Sequence, residues 1–124
     1  MPASHHSTEV RVTDPVTGGQ KGQKAEQLGA VDPVALLELA RVAGLGTQKY
    51  ERFNYLRGYA WHLSYDALQR HAMKFWSGED VDPDSGCLHA ACVAWHALAL
   101  CSFVLRSLGT DDRFKQPEEE EDGQ

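Results

Sequence analysis

Cysteine is scarce and odd in number: Cys87, Cys92 and Cys101. Cys92 and Cys101 lie nine residues apart in a helical pattern, too far along a helix to pair, so a disulfide-stapled secreted domain is not expected and a reduced, cytoplasmic setting is. Basic charge is also short. Lys and Arg total 12 against 18 Asp and Glu, for a net charge of -6. Five of those acids stand in the tail Glu118-Glu119-Glu120-Glu121-Asp122, which leaves the rest of the chain nearly neutral. A body without a basic surplus is not built for a long polyanion, so no nucleic-acid polymer is expected as partner. A single nucleotide needs only a local cation cluster. No uninterrupted apolar run reaches the roughly 18 residues of a membrane span, so none is expected. The N-terminal MPASHHSTEV has no apolar core of a signal peptide. Convincing β alternation is missing throughout.

What is present is enough for one domain with a core: 124 residues, 42% of them hydrophobic. Residues 1 to about 31 read as mostly irregular, with Thr17-Gly18-Gly19-Gln20-Lys21-Gly22 as a flexible, locally basic arm. Asp32-Pro33 is an N-cap with proline at the first helical position, and it opens a first helix. Gly44 and Gly46 are expected to interrupt or end it, with a shorter piece through Lys49-Tyr50. An aromatic, cationic connection follows, from Tyr50 to Trp61. Ser64 can cap a second helix carrying Leu68, His71, Ala72, Phe75 and Trp76 at helical spacing, ended by Gly78. Asp84 or Ser85 then caps a third, apolar almost all round from Ala90 to Leu105, which should be central and stop near Gly109. The expected class is all-α: a compact helical bundle over residues 13–110, with a disordered N-terminus (1–12) and a disordered acidic tail (111–124).

Chemistry concentrates around SGEDVDPDSG, Ser77 to Gly86, where Glu79, Asp80, Asp82 and Asp84 crowd one turn. Acids at alternate positions suggest a calcium loop, but Ala91 stands where a bidentate glutamate is required and Ser85 where glycine is. A capped turn explains Asp84 and Ser85. It does not explain Glu79, Asp80 and Asp82 together. Glu79 with Asp82 can converge on a hard cation such as Mg²⁺, although surface acidic pairs are common. His89, Cys92 and His96, at i, i+3 and i+7, share a face of the third helix. That face is either a soft-metal face or a polar edge toward the second helix, with Cys92 a small buried residue. Glu38 is an isolated acid in the apolar first helix. Arg70 and His71 are adjacent and so face different ways; an inward His71 needs a polar partner.

Taken in order, these segments form a pattern: Thr17-Gly18-Gly19-Gln20-Lys21-Gly22-x-Lys24; Glu38-Leu39-Ala40-Arg41-Val42; Gly46-x-x-Lys49-Tyr50-x-x-x-Asn54; Trp61-x-Leu63-Ser64-x-x-Ala67-Leu68-x-Arg70-His71; Gly78-Glu79-Asp80-Val81-Asp82-Pro83-Asp84-Ser85-Gly86; and His89. Over roughly residues 13–106 the chain resembles the phage dATP/dGTP diphosphohydrolases of the MazZ type, within the all-α MazG-like nucleotide pyrophosphohydrolases. The resemblance implies hydrolysis of purine deoxynucleoside triphosphates to monophosphate and pyrophosphate, with Mg²⁺ or Mn²⁺ on helix-borne carboxylates, in a homodimer or homotetramer in the host cytoplasm. Depletion of dATP would favour 2-aminoadenine in the phage genome. Carried onto this chain, Glu38, Glu79 and Asp82 become the catalytic and metal-binding acids, with Asp80 as a further ligand. Lys24, Lys49 and Arg70 become phosphate partners, Asn54, Tyr50 and Trp61 base contacts, and His71 and His89 phosphate or metal contacts. Two positions depart from the pattern. Arg41 follows Glu38 at i+3, where such enzymes carry a second glutamate, and Cys92 stands where relatives often have histidine. Activity on another nucleotide, such as dUTP or a modified one, and a non-enzymatic helical interaction protein are the competing expectations.

Overall fold

Asp32 does what its sequence context predicts. Its carboxylate accepts a hydrogen bond from the Val34 N–H at 3.0 Å, and Pro33 opens helix α1 (Pro33–Lys49). The computed structural model of the protein describes residues 9–117. Within them, α1 is followed by a 3₁₀ turn (Asn54–Arg57), α2 (Trp61–Trp76) and α3 (His89–Arg106). A two-stranded antiparallel hairpin precedes them, β1 (Val10–Thr13) with β2 (Gln20–Gln23), in register Val10↔Gln23 to Thr13↔Gln20. The fold is therefore mostly helical but not purely all-α, and the arm expected to be irregular is in part a hairpin. Its turn is built locally. The Asp14 carboxylate accepts from the Val16 and Thr17 amides at 2.8 and 2.9 Å, and Gly18 takes the left-handed conformation at φ 75°.

Gly44 and Gly46 do not end α1, which runs on to Lys49. A helical glycine costs only about 1 kcal/mol relative to alanine, less than a run of apolar contacts with a neighbouring helix returns. The start of α2 also differs from expectation. Ser64 is not its cap; the helix begins at Trp61, and Ala60 offers no capping side chain. The cap comes from 50 residues downstream, where the Asp112 carboxylate accepts from the His62 N–H at 3.0 Å. The Trp61 amide bonds the Thr110 carbonyl, its indole N–H donates to the Leu108 carbonyl at 2.8 Å, and the Arg113 guanidinium lies over the indole at 4.8 Å. Residues 111–113, expected in a disordered tail, thus clasp the start of α2; the acids Glu118 to Asp122 lie outside the described residues. Gly109 (φ 73°) permits this approach, because a Cβ there would meet the Tyr59 carbonyl oxygen at 2.2 Å.

Gly78, at φ 103°, ends α2 as predicted. No side chain caps α3, which starts at His89. Instead the 77–88 loop folds back on itself. The Asp82 amide bonds the Cys87 carbonyl, Gly86 bonds the Asp82 carbonyl, and the His89 amide bonds the Asp80 carbonyl. The helix closes at Ser107 in the left-handed region, two residues before the expected glycine.

The core lies along α3. Phe103, Ala99, Cys92, Ala91 and His89 are buried there, joined by Ser64 and Ala67 of α2 and by Cys87. The Tyr59 ring meets Phe103 edge-on at 4.9 Å, and Tyr55 meets Trp95 at 5.3 Å. α1 packs on α3 without a single buried residue of its own. Although no unbroken apolar run of that length was expected, α3 is long and apolar enough by length and composition to cross a membrane. It carries the buried His89 and the half-buried His96, both hydrogen-bonded, and packs against both other helices, as the core helix of this fold.

Candidate active site

Helical spacing gathers polar side chains on the two faces that meet. On α2, Ser64, Ala67 and His71 follow at i, i+3 and i+7; on α3, so do His89, Cys92 and His96. Where the helices pack, the serine and histidines form two runs of hydrogen bonds joined by a ring stack. The Tyr59 hydroxyl and Ser64 Oγ are 2.6 Å apart, and Ser64 Oγ is 3.0 Å from His96 Nδ1. The His96 ring stacks on His71 at 6.2 Å, His71 Nδ1 is 2.9 Å from His89 Nδ1, and His89 Nε2 is 2.7 Å from Glu79 Oε1. Among the described residues no buried side-chain polar atom lacks a partner.

Proton positions follow from this order. Glu79 is an acceptor, so His89 carries hydrogen on Nε2. At the 2.9 Å contact between the two Nδ1 atoms, one ring donates and the other accepts. A neutral His71 keeps one unprotonated ring nitrogen, suited to a metal ion or to a proton in transit. Two further donors stand there. The ligand atoms of His71, Asp82 and Cys92 all lie within 4.8 Å of one another. Asp82 is fixed by its own turn: Ser85 Oγ donates to its carboxylate at 2.7 Å and the Asp84 amide at 3.3 Å.

The electrostatics follow from burial. Burial pushes His71 below the usual histidine range, with Asp82 opposing and His89 and Arg70 adding to the fall. Partial burial would raise Asp82, but the Ser85 hydroxyl, the Asp84 and Ser85 amides and His71 together hold it below the usual carboxylate value. Burial, Cys87 and Asp82 raise the Cys92 thiol against the Ser85 hydrogen bond. His96 falls to about 4, first through burial and then through His71 and Arg70. Its folded value lies below its unfolded one near 6.5, so the unfolded chain takes the proton first. Stability is expected to be full above about pH 6.5 and to decline as pH falls toward about 4. Urea midpoints at about pH 7 and about pH 4.5 for the wild type and His96→Gln check this, and the variant should lose less. An identical loss in both would remove His96 as the cause.

Of the residues read from the sequence, the structure brings Glu79, Asp82, His71 and His89 together, and Arg70 is near enough to act by charge on His71 and His96. Asp80 contributes its backbone carbonyl, to the His89 amide. Glu38 is on α1, 4.0 Å from Arg41 and outside the His71–Asp82–Cys92 group. Lys24 follows β2 and Lys49 closes α1, both exposed, with Tyr50 beside Lys49; Asn54 opens the 3₁₀ turn. Trp61 commits its indole to Leu108 and Arg113. Cys92 was legible as part of a histidine-bearing face but not as a neighbour of Asp82. Ser64 was expected as a helix cap and Tyr59 as part of the aromatic connection, neither as a partner of His96.

The description of the family of dATP/dGTP diphosphohydrolases, N-terminal region, matches residues 15–113. The chain belongs to this family. The matched span takes in β2, all three α-helices, the acidic loop and the 111–113 clasp. A dATP/dGTP diphosphohydrolase of Salmonella phage PMBT28 is 33% identical over 102 residues, covering 79% of this chain and 33% of that protein. The chain thus spans about a third of the length of that curated relative. No solved structure matches.

Proposed function

We propose that this chain hydrolyses purine deoxynucleoside triphosphates, dATP and dGTP, to the monophosphate and pyrophosphate in a divalent-cation-dependent reaction. Family membership and the name of the phage relative support the reaction class. The observation that carries it is the meeting of α2, α3 and the acidic loop, where the Asp82 carboxylate lies beside His71 and Glu79 reaches the same group through His89. A divalent ion supplies charge neutralisation of the triphosphate and orientation of a water. Of the expected Mg²⁺ and Mn²⁺, either is suited by the carboxylate of Asp82, with Asp80 and Glu79 in the same loop. The thiol and imidazole beside Asp82 are not Mg²⁺ donors.

The chain's own residues then have distinct tasks. Glu79 holds His89 with one carboxylate oxygen and offers its second as base for the attacking water. The bond from the α-phosphorus to the bridging oxygen breaks, and pyrophosphate leaves with the displaced oxygen. Arg70, beside the cluster, pairs with phosphate oxygens as the charge moves outward, with Lys24 and Lys49 as further cations. Tyr50, 61% exposed, is free to stack on a base, and Asn54 to read its edge; Trp61 has less freedom for that role. α1 leaves Val34 and Leu37 each 70% exposed and buries nothing, which supports a homodimer or homotetramer that covers this face. In an infected cell such an enzyme would act in the host cytoplasm, lowering dATP in favour of 2-aminoadenine.

A panel of nucleoside triphosphates with Mg²⁺ or Mn²⁺, read by pyrophosphate release, tests the proposal. dATP and dGTP should be cleaved in preference to dUTP, dCTP and dTTP. Preference for dUTP would move the substrate, and no cleavage of any triphosphate would leave a helical interaction protein.

A further inference from the structure

We infer that His71, Asp82 and Cys92 form a resident site for a borderline-soft divalent ion of the Zn²⁺ class, distinct in chemistry from the Mg²⁺ or Mn²⁺ of the proposed reaction. The inference shares Asp82 with that reading but does not need its substrate.

The first support is the donor set. One imidazole, one carboxylate and one thiol from α2, the acidic loop and α3 place their ligand atoms within 4.8 Å of one another. Thiolate and imidazole select Zn²⁺ over Mg²⁺ and Ca²⁺, and three protein ligands leave a fourth tetrahedral position open for water or a phosphate oxygen. The second support lies behind the cluster. The chain Glu79 Oε1 to His89 Nε2 (2.7 Å), then His89 Nδ1 to His71 Nδ1 (2.9 Å), holds the His71 ring in place from behind. A hydrogen-bonded partner behind a ligating histidine is how proteins orient its imidazole toward a metal, and here that partner is His89, itself anchored by Glu79. The third is rigidity. Cys92 is 4% exposed and His89 2%, and two hydrogen bonds from its own turn set the Asp82 carboxylate. On binding, the Cys92 thiol gives its proton to solvent and ligates as thiolate, so uptake releases a proton and weakens as pH falls.

The test is direct metal binding by the full, untagged chain, stripped with a chelator and then dialysed. Zn²⁺ titrated against a chromophoric chelator should bind at about one per chain and resist a roughly thousandfold excess of Mg²⁺. Co²⁺ in its place should give tetrahedral visible bands and a near-ultraviolet thiolate-to-cobalt band. Cys101→Ser should keep that band, because Cys101 is exposed and outside the group, and Cys92→Ser should lose it. Asp82→Asn should keep the band while weakening Zn²⁺ at least about tenfold. Wild-type protein that retains no Zn²⁺, a Co²⁺ complex without the thiolate band, or a band lost in Cys101→Ser would overturn the inference, and none of these readings depends on Cys92→Ser folding. Zn²⁺ held with no triphosphate cleaved would sink the proposed activity alone; cleavage by Zn²⁺-free protein with Mg²⁺ would sink a catalytic use of the site and leave the activity standing.

Discussion

Asp82→Asn is expected to lower dATP and dGTP hydrolysis by at least about 100-fold while leaving helix content unchanged. Asp82 is the acid that the structure sets beside both His71 and Cys92, so it serves any cation placed there. Asparagine keeps the size and one of the two side-chain oxygens, which accept separately from the Asp84 amide and the Ser85 hydroxyl, and its NH2 can donate to Ser85 Oγ in place of the other bond, so the turn survives; what is lost is one negative charge at the point where a cation and a triphosphate must be balanced. Glu79→Gln acts one step further out, through His89 and as the proposed base. Loss of an outer-shell partner typically costs about 10–100-fold in metal affinity or activity, and loss of the base adds to the fall in kcat. Pyrophosphate-release kinetics across a Mn²⁺ titration, with circular dichroism as the folding control, separate the two. An Asp82→Asn protein with near-normal kcat at saturating Mn²⁺ would take Asp82 out of the site.

Phe103→Ala should destabilise the fold by about 3–5 kcal/mol, a large share of the total stability of a small domain. Phe103 is fully buried, and its ring is met edge-on by Tyr59 at 4.9 Å. The residues around it belong to three parts of the chain: the Tyr59 approach to α2, α3 itself, and the Leu108 amide that closes onto the Phe103 carbonyl. Removing the ring leaves a cavity among those segments. A fall in Tm of roughly 10–20 °C by calorimetry is the expected reading. A shift of only a degree or two would mean the site collapses around the smaller residue.

The same physics explains which parts of this protein could be read in advance. The start of α1 was legible because Asp32 bonds the amide two residues on, and the end of α2 because Gly78 supplies a conformation that side chains disfavour. Both depend on interactions within a few residues. The hairpin was not legible. Its strands are four residues each and exposed on nearly every residue, so no alternation between a wet and a dry face marks them. Nor was the continuation of α1 through Gly44 and Gly46, where each glycine costs the helix only about 1 kcal/mol relative to alanine.

For the site, the sequence by itself determined the inventory: a histidine-bearing face on α3, a histidine on α2, and a turn rich in carboxylates between them. It also carried the pattern that the family match over residues 15–113 bears out. The tertiary structure decided which members meet. It turned Ser64 from a helix cap into a hydrogen-bond partner of His96, gave the capping of α2 to Asp112, left Glu38 outside the group, and set Cys92 beside His71 and Asp82. The reason is one of range. Caps and turns are closed by hydrogen bonds between near neighbours and so are written locally, whereas a ligand set drawn from two helices and a loop exists only once burial of the α2 and α3 faces has fixed how the helices pack.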